Sequence, residues 1–399
     1  MDLSYGQEYE TFREDVRKFI DQYIDHQPKP GAGAKSQEVR DWQKILIEHG
    51  YHSRTIPKAY GGYGAEPDIL KSRIIAEEFS AAQMNTGFGG QGISMLTPVL
   101  LEMGTEEQKQ TFIKPTIHAD MIWCQGYSEP GAGSDLASLT TKAVLDGDEW
   151  VINGQKIWTS TAHLADWIFC LVRTEPEAPK HQGISFLLFR MDTPGIEVRP
   201  LVDMTGNANF NEVFFTDVRV PKHQMVGQRG QGWQVANAIL GHERGSLAPP
   251  DAAMTRLNGV IKLMQQETIS GQRVMDNPVF RDRLMRLQGR VLAMQYNDMR
   301  LLSAQINKNQ DVRLAGMIVK LLGTELRHEI ECLGIDVMGE IGISYGDNPH
   351  LRGGGSWQHQ YMFYLGLIIG GGTSQIQKNI ISERGLGMPK EPKFAAAEA

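Results

Sequence analysis

Three glycine clusters are the first candidates for chemistry: Gly61-Gly62-Tyr63-Gly64, Pro130-Gly131-Ala132-Gly133-Ser134 and Gly370-Gly371-Gly372-Thr373. Glycines leave backbone N–H groups unhindered, and consecutive free N–H groups can cradle a phosphate. A Rossmann fingerprint needs a strand before the glycines and a helix after them, so that a pyrophosphate meets the helix N-terminus. Gly131-Ala132-Gly133 leads instead into strand-like sequence, and the Lys-Ser/Thr pair of a P-loop is missing. Taken singly, each cluster reads as a turn requiring positive φ. Glu243 and Arg244, in AILGHERGSL, set a carboxylate beside a guanidinium, a pairing common on solvated helix faces. His328 and Cys332 share a helix face, but two ligands without a second pair make a poor metal site. A buried helix face is the better reading of them, and no metal is expected.

The elements that must position these residues fall into three blocks. Before about Met121 the pattern is helical: Phe12, Val16, Phe19, Ile20, Tyr23 and Ile24 form one apolar stripe. Ser36 is an N-cap candidate for a helix carrying Val39, Trp42, Leu46 and Ile47 and stopping at Gly50. Thr105 with Gln108 predicts a capping box, and Pro57 to Gly64 predicts a loop. From Ile122 to about Val220 the period shortens. Asp146-Gly147 and Asn153-Gly154 predict hairpin turns between Thr140–Leu145, Glu149–Ile152 and Gln155–Ser160, with further strands at Trp167–Val172, Ile184–Phe189, Ile196–Leu201 and Glu212–Val218. After Gly232 four long helical stretches follow, about Trp233–Gln266, Pro278–Asn307, Asp311–Met338 and Gln358–Arg384, which suit a bundle. The fold class is α+β and multi-domain: an N-terminal all-helical domain (1–120), a middle β-barrel or sandwich domain (121–228) and a C-terminal four-helix bundle (229–399).

The 399 residues exceed what one core supports. A net charge of −7 without a basic stripe argues against a nucleic-acid partner. The longest apolar runs are too short for a bilayer span, and the first residues lack the pattern of a targeting segment. Cys124, Cys170 and Cys332 are odd in number and far apart, which suits a reducing compartment, so a cytoplasmic protein is expected.

The string CQGYSEPGAGSDLASLTTKAVLDGDEWVINGQKIWTSTAHLADWIFCLVRT, Cys124 to Thr174, resembles the central signature of the acyl-CoA dehydrogenase flavoproteins. In that signature Glu-Pro-x-Ala-Gly-Ser-Asp is followed by Asn-Gly-x-Lys-x-Trp-x-Thr/Ser. The second signature of the family is matched by GGTSQIQKNIISERGLG, Gly371 to Gly387. The resemblance covers essentially the whole chain and implies FAD held between the β domain and the bundle. It places Tyr127 and Ser128 along the flavin ring, the Gly133 and Ser134 backbone and the Ser134 hydroxyl at the pyrophosphate, Trp158 against the isoalloxazine and Ser160 near N5. Thr373 and Gln375 match cofactor contacts usually made from a neighbouring subunit, so at least a dimer is implied.

Desaturating an acyl thioester requires a base at Cα and hydrogen-bond donors for the thioester oxygen. The commonest family pattern carries a glutamate directly before Gly-Thr-Ser, where this chain has Gly371. A minority, resembling isovaleryl-CoA and long-chain acyl-CoA dehydrogenases, carries it on a bundle helix before an arginine, which points to Glu243 as the base here. Gly371 then offers its N–H to the thioester oxygen, and Arg244 and Ser134 join it among the expected substrate contacts. His242 reads as a packed or capping histidine.

The family's Arg-x-x-Phe-Gly segment is missing, with Arg273 and Arg281 nearby outside that pattern, and Asp336 replaces a usual Gln. These departures leave room for a hetero-oligomer. The resemblance implies an FAD-dependent acyl-CoA dehydrogenase that passes electrons to an electron-transfer flavoprotein, as a homotetramer. The open glycine wall at Gly370–Gly372 suggests a branched or bulky acyl group. Two other readings stay open: a catalytically silent or shared-site subunit, and a flavin oxidase on the same fold.

Overall fold

The apolar stripe of the first segment forms α1 (Gln7–Tyr23), which buries Val16, Phe19 and Ile20. In the computed structural model, which describes residues 6–246, 250–307 and 313–390, the side chains of 243–251 and 305–313 also lie outside the description. The next helix, α2 (Gln37–Glu48), starts where its cap predicts: the Ser36 hydroxyl accepts from the Val39 N–H. Gly50 ends the turn after it at φ +76°, where a Cβ would strike the Tyr63 ring at 2.8 Å. A third helix, α3 (Ile69–Ala81), is capped by Asp68, and Trp42, Leu46, Ile74 and Phe79 close a core among α1, α2 and α3.

Next come α4 (Thr97–Met103), entered through a π-turn at Gly92–Leu96, and α5 (Glu106–Ile117). Both bonds of the predicted capping box are made, Thr105 with Gln108. The Gln108 amide also donates to the carbonyls of His223 and Met225, at 3.1 and 2.8 Å.

The β elements are β1 (Trp123–Gly126), β2 (Lys142–Asp146), β3 (Glu149–Lys156), β4 (Trp167–Arg173), β5 (Ile184–Arg190), β6 (Ile196–Leu201), β7 (Phe210–Pro221) and β8 (Met225–Val226). They form one sheet in the order β6-β7-β3-β2-β4-β5-β8, with β1 pairing parallel to β4. Asp146-Gly147 makes the expected hairpin, Asp146 facing Glu149. Asn153-Gly154 does not turn. It lies inside β3 as a bulge against β7, so the two predicted strands Glu149–Ile152 and Gln155–Ser160 are one, which ends at Lys156. Asn153 lends its amide to Asp217, donating to the carboxylate and accepting from the N–H, while a Cβ on Gly154 would meet Thr141 at 2.5 Å. The same dipeptide that suits a type I′ turn also suits a bulge at a close backbone approach.

The chain divides into two compact units, 1–203 with 208–240 and 204–207 with 241–399. The helix α6 (Gly232–Ser246) runs from the end of the first into the second. In the second unit α7 (Pro250–Gln266) follows, and the stretch of the predicted helix Trp233–Gln266 that joins it to α6 lies outside the described residues. A small hairpin, β9 (Thr268–Ile269) with β10 (Gln272–Arg273), precedes α8 (Pro278–Asn307), α9 (Arg313–Val337) and α10 (Ser356–Ile369). Leu257, Val260, Val291, Ile330, Leu333 and Trp357 pack α7, α8, α9 and α10 into a bundle core. Glu331, fully buried, is held by Arg256 and Arg327. The predicted stretch Gln358–Arg384 is broken after Ile369: α11 (Ser374–Ile380) begins only after the three glycines, and a π-turn at Ile381–Gly385 ends it. Gly371 and Gly372 at φ +62° and +93° are the cause.

Candidate functional site

In the first unit, β1 delivers the chain to Tyr127 and Ser128. Tyr127 is buried edge-on against Phe169 and Phe186, and the Ser128 carbonyl accepts from the Ile157 N–H at 2.9 Å. The loop that follows is anchored by a buried ion pair. Lys156, fully buried, donates to Glu129 at 2.8 Å and to the Tyr127 carbonyl at 3.1 Å. Glu129 also accepts from the N–H groups of Thr140 and Thr141. Burial opposes its ionisation, but the Lys156 charge and these hydrogen bonds outweigh it and hold the carboxyl down to about 2.

Beyond this anchor Glu129 and Ala132 exchange backbone bonds at 3.0 Å, and the chain emerges exposed at Gly133 and Ser134. Among the described residues neither N–H has an acceptor. A Cβ on Gly131 or Gly133 would meet nothing within 4 Å, and both lie outside the positive-φ region. The loop is therefore a cradle with its donors turned outward and room for a ligand, which fits a diphosphate. Asp135, salt-bridged to Lys180, follows it.

Trp158 is 60% exposed at φ +60°, a backbone state that costs a bulky residue about 1–3 kcal/mol. Flanking bonds impose it: Ile157 to Ser128, and Thr159 with Asn211 in both directions. Its ring meets the edge of Phe210 at 6.1 Å and leaves a face open, which suits a flat conjugated ligand. Beside Ser160 lies a cavity of about 230 Å³ walled by Phe88, Gly89, Gly90, Trp123, Thr161 and Leu164. Sequence reasoning missed this cavity; the glycine-dense run Gly87-Phe88-Gly89-Gly90-Gln91-Gly92 was its signal. The structure thus gathers Tyr127, Ser128, Gly133, Ser134, Trp158 and Ser160 on one unit, along β1, the loop after it and the end of β3.

In the second unit the break between α10 and α11 is Gly370-Gly371-Gly372-Thr373. The Thr373 hydroxyl caps α11 by accepting from the Ile376 N–H at 3.2 Å and retains its own proton to donate elsewhere. Gln375 is exposed on the first turn. Lys320, 2% exposed, donates to the Ile368 and Gly372 carbonyls at 3.0 and 2.7 Å, and buried Gln377 donates to the Gly371 carbonyl at 3.0 Å. The Gly371 N–H has no acceptor among the described residues. Glu243 and Arg244 fall on α6, and their side chains lie outside the described residues. His328 and Cys332 approach to 3.6 Å beside the Tyr361 ring, with no third metal-ligating side chain among the described residues. Asp336 pairs with Arg283, and Arg273 with Asp276. No described helix is long and apolar enough to cross a membrane.

Comparison with known proteins covers most of the chain. The acyl-CoA dehydrogenase N-terminal, middle and C-terminal domain families match residues 6–120, 124–218 and 230–386. The acyl-CoA dehydrogenase IpdE1 of Mycobacterium tuberculosis is 38% identical over 90% of each chain. Among solved structures, the Tcur3481-Tcur3483 steroid ACAD superposes with a TM-score of 0.80 at 29% identity, covering 98% of this chain and 100% of its own. The ChsE4-ChsE5 complex from Mycobacterium tuberculosis gives 0.80 at 30% identity, with the same coverage.

Proposed function

This chain belongs to the acyl-CoA dehydrogenase family of flavoprotein oxidoreductases, and on that premise we propose that it desaturates a branched or ring-bearing acyl-CoA between Cα and Cβ. The observation that carries the reading is the Gly370–Thr373 turn: it has no carboxylate, yet it presents a Gly371 N–H that has no acceptor among the described residues. A thioester oxygen accepting from that N–H becomes more enolate-like at low cost, and the base that removes the α-proton must then come from elsewhere. Glu243 takes that role, with Arg244 beside it as a substrate contact.

FAD, when bound, supplies the acceptor for the hydride leaving Cβ. Gly133 and Ser134 would hold its pyrophosphate, Tyr127, Ser128, Trp158 and Ser160 would hold its ring system, and Thr373 and Gln375 would hold the cofactor of a neighbouring subunit. Electrons pass on to an electron-transfer flavoprotein, and the assembly is a homotetramer in the cytoplasm. The likeness to a steroid ACAD and the cavity beside Ser160, whose wall includes the side-chain-free Gly89 and Gly90, support a bulky acyl group.

The test is anaerobic reduction of the bound flavin by butyryl-, octanoyl-, isovaleryl- and cyclohexylacetyl-CoA. Reduction is expected with the branched or ring-bearing thioesters, and a tenfold kcat/KM preference for the straight chains, about 1.4 kcal/mol, overturns the substrate reading. Glu243→Gln keeps flavin and substrate binding and loses about 10²–10⁴-fold in the reduction rate; an unchanged rate removes Glu243 as the base. A second reading, a site shared within a hetero-oligomer, is favoured by the missing Arg-x-x-Phe-Gly segment and by the likeness to the ChsE4-ChsE5 complex. Flavin that binds only when a second chain is added would select it.

A further inference from the structure

Lys320, 51 residues before the position of the usual glutamate, and Gln377, six residues after it, both reach the turn that replaces it. We propose that they are positioning residues which orient the Gly370–Gly371 peptide, so that the Gly371 N–H is set to donate to the thioester oxygen of the substrate. The proposal rests on the acyl-thioester reading of this turn and adds two residues to it.

The peptides on either side of that N–H are pinned. Upstream, the Gly370 N–H donates to the Gly366 carbonyl at 2.7 Å, and the Ile368 carbonyl accepts from Lys320 at 3.0 Å. Downstream, the Gly371 carbonyl accepts from Gln377 at 3.0 Å and the Gly372 carbonyl from Lys320 at 2.7 Å. A trans peptide turns its N–H opposite to its carbonyl, so drawing the Gly371 carbonyl onto Gln377 turns the Gly372 N–H away from it. Between these fixed points the Gly370–Gly371 peptide has little freedom left, although two of the three glycines sit at positive φ and would otherwise sample many states.

The choice of side chains supports a positioning role. A neutral donor could satisfy one carbonyl, but an ammonium carries three donors and spans both ends of the turn. It also sits at the C-terminal end of α10, where the helix dipole favours positive charge. Burying a lysine is costly, and here the cost maintains a donor whose direction must not drift by even about 1 Å. Thr324 and Ser374 hold the neighbourhood: the Thr324 hydroxyl donates to the Lys320 carbonyl at 2.9 Å, and Ser374 to Glu325 at 2.7 Å.

The test compares wild-type holoenzyme with Lys320→Met and Gln377→Leu, after flavin content and thermal unfolding have shown each to be folded. The probe is cyclohexylacetyl-CoA carrying carbon-13 at the thioester carbonyl. Isotope-edited infrared spectra of the bound probe report the hydrogen bond to its oxygen directly. Anaerobic stopped-flow separates its binding from flavin reduction. We expect Lys320→Met to bind the probe within about threefold of wild type, to return the carbonyl band toward its position in free solution, and to slow reduction at saturation about 10²-fold. Gln377→Leu shifts both readouts in the same direction and carries the test should Lys320→Met not fold. A folded variant with the wild-type carbonyl band and rate overturns the clamp while leaving the acyl-thioester reading intact. A wild-type protein that neither shifts the carbonyl band nor is reduced overturns that reading, and the clamp with it.

Discussion

Two glycine turns, one in each unit, both leave N–H groups without an acceptor among the described residues, and they do so by different means. At Gly131–Ser134 the glycines lie outside the positive-φ region, and a Cβ would enter empty space. What shapes that loop is the buried Glu129–Lys156 pair behind it, so the absent side chains serve whatever approaches from outside. At Gly370–Gly372 the reverse holds. Two residues occupy positive φ, a Cβ on Gly372 would meet Gln377 at 2.7 Å, and the glycines serve the backbone itself. The same residue type therefore carries a ligand argument at one turn and a conformational argument at the other.

The largest effect expected from breaking this contrast is at Lys156. Lys156→Met leaves Glu129 ionised and buried without its partner, and should cost about 3–5 kcal/mol in denaturant unfolding. The Glu129 carboxyl itself predicts an acid limb. Its folded pKa of about 2 lies below the ordinary 4.5, so its contribution is fully present above pH 4.5 and is lost as pH falls toward 2. That amounts to about 3 kcal/mol, and Glu129→Gln should flatten this limb of the stability profile. Gly372→Ala should cost about 1–3 kcal/mol, from φ strain and the displacement of Gln377, measured as a lowered unfolding midpoint. Gly133→Ala is the smallest in stability, within about 1 kcal/mol and toward greater stability, while FAD affinity measured by reconstituting the apoprotein falls at least about tenfold. A Gly133→Ala protein that loses stability and keeps its flavin would erase the distinction between the turns.

Local rules made much of this legible in the sequence. Ser36, Thr105 with Gln108, and Asp146-Gly147 act through bonds to residues within three or four positions, so their outcome is written nearby. Asn153-Gly154 misled because its meaning is decided by Thr141 and Asp217, which only the folded sheet brings alongside. The break at Gly370–Gly372 lay in plain view of the sequence, but helical periodicity continues across it. Lys320 was invisible for another reason: it reaches carbonyls 48 and 52 residues away, and a carbonyl acceptor has no residue type to recognise. Tyr127, Ser128, Trp158 and Ser160 come together because β1 and β3 carry them, whereas the side chains of Glu243 and Arg244 lie outside the described residues.

The double use of Gln108 has a consequence for how the chain comes off the ribosome. Its amide caps α5 within three residues but finishes bonding only at His223 and Met225, more than a hundred residues later. At ordinary synthesis speeds that interval is on the order of ten seconds. Throughout it the N-terminal helices must wait, with the flank of α5 that will meet the β7–β8 connection still uncovered. Nascent chains halted before residue 225 should accordingly be cut by protease near α5, and chains halted after the first unit has emerged should resist.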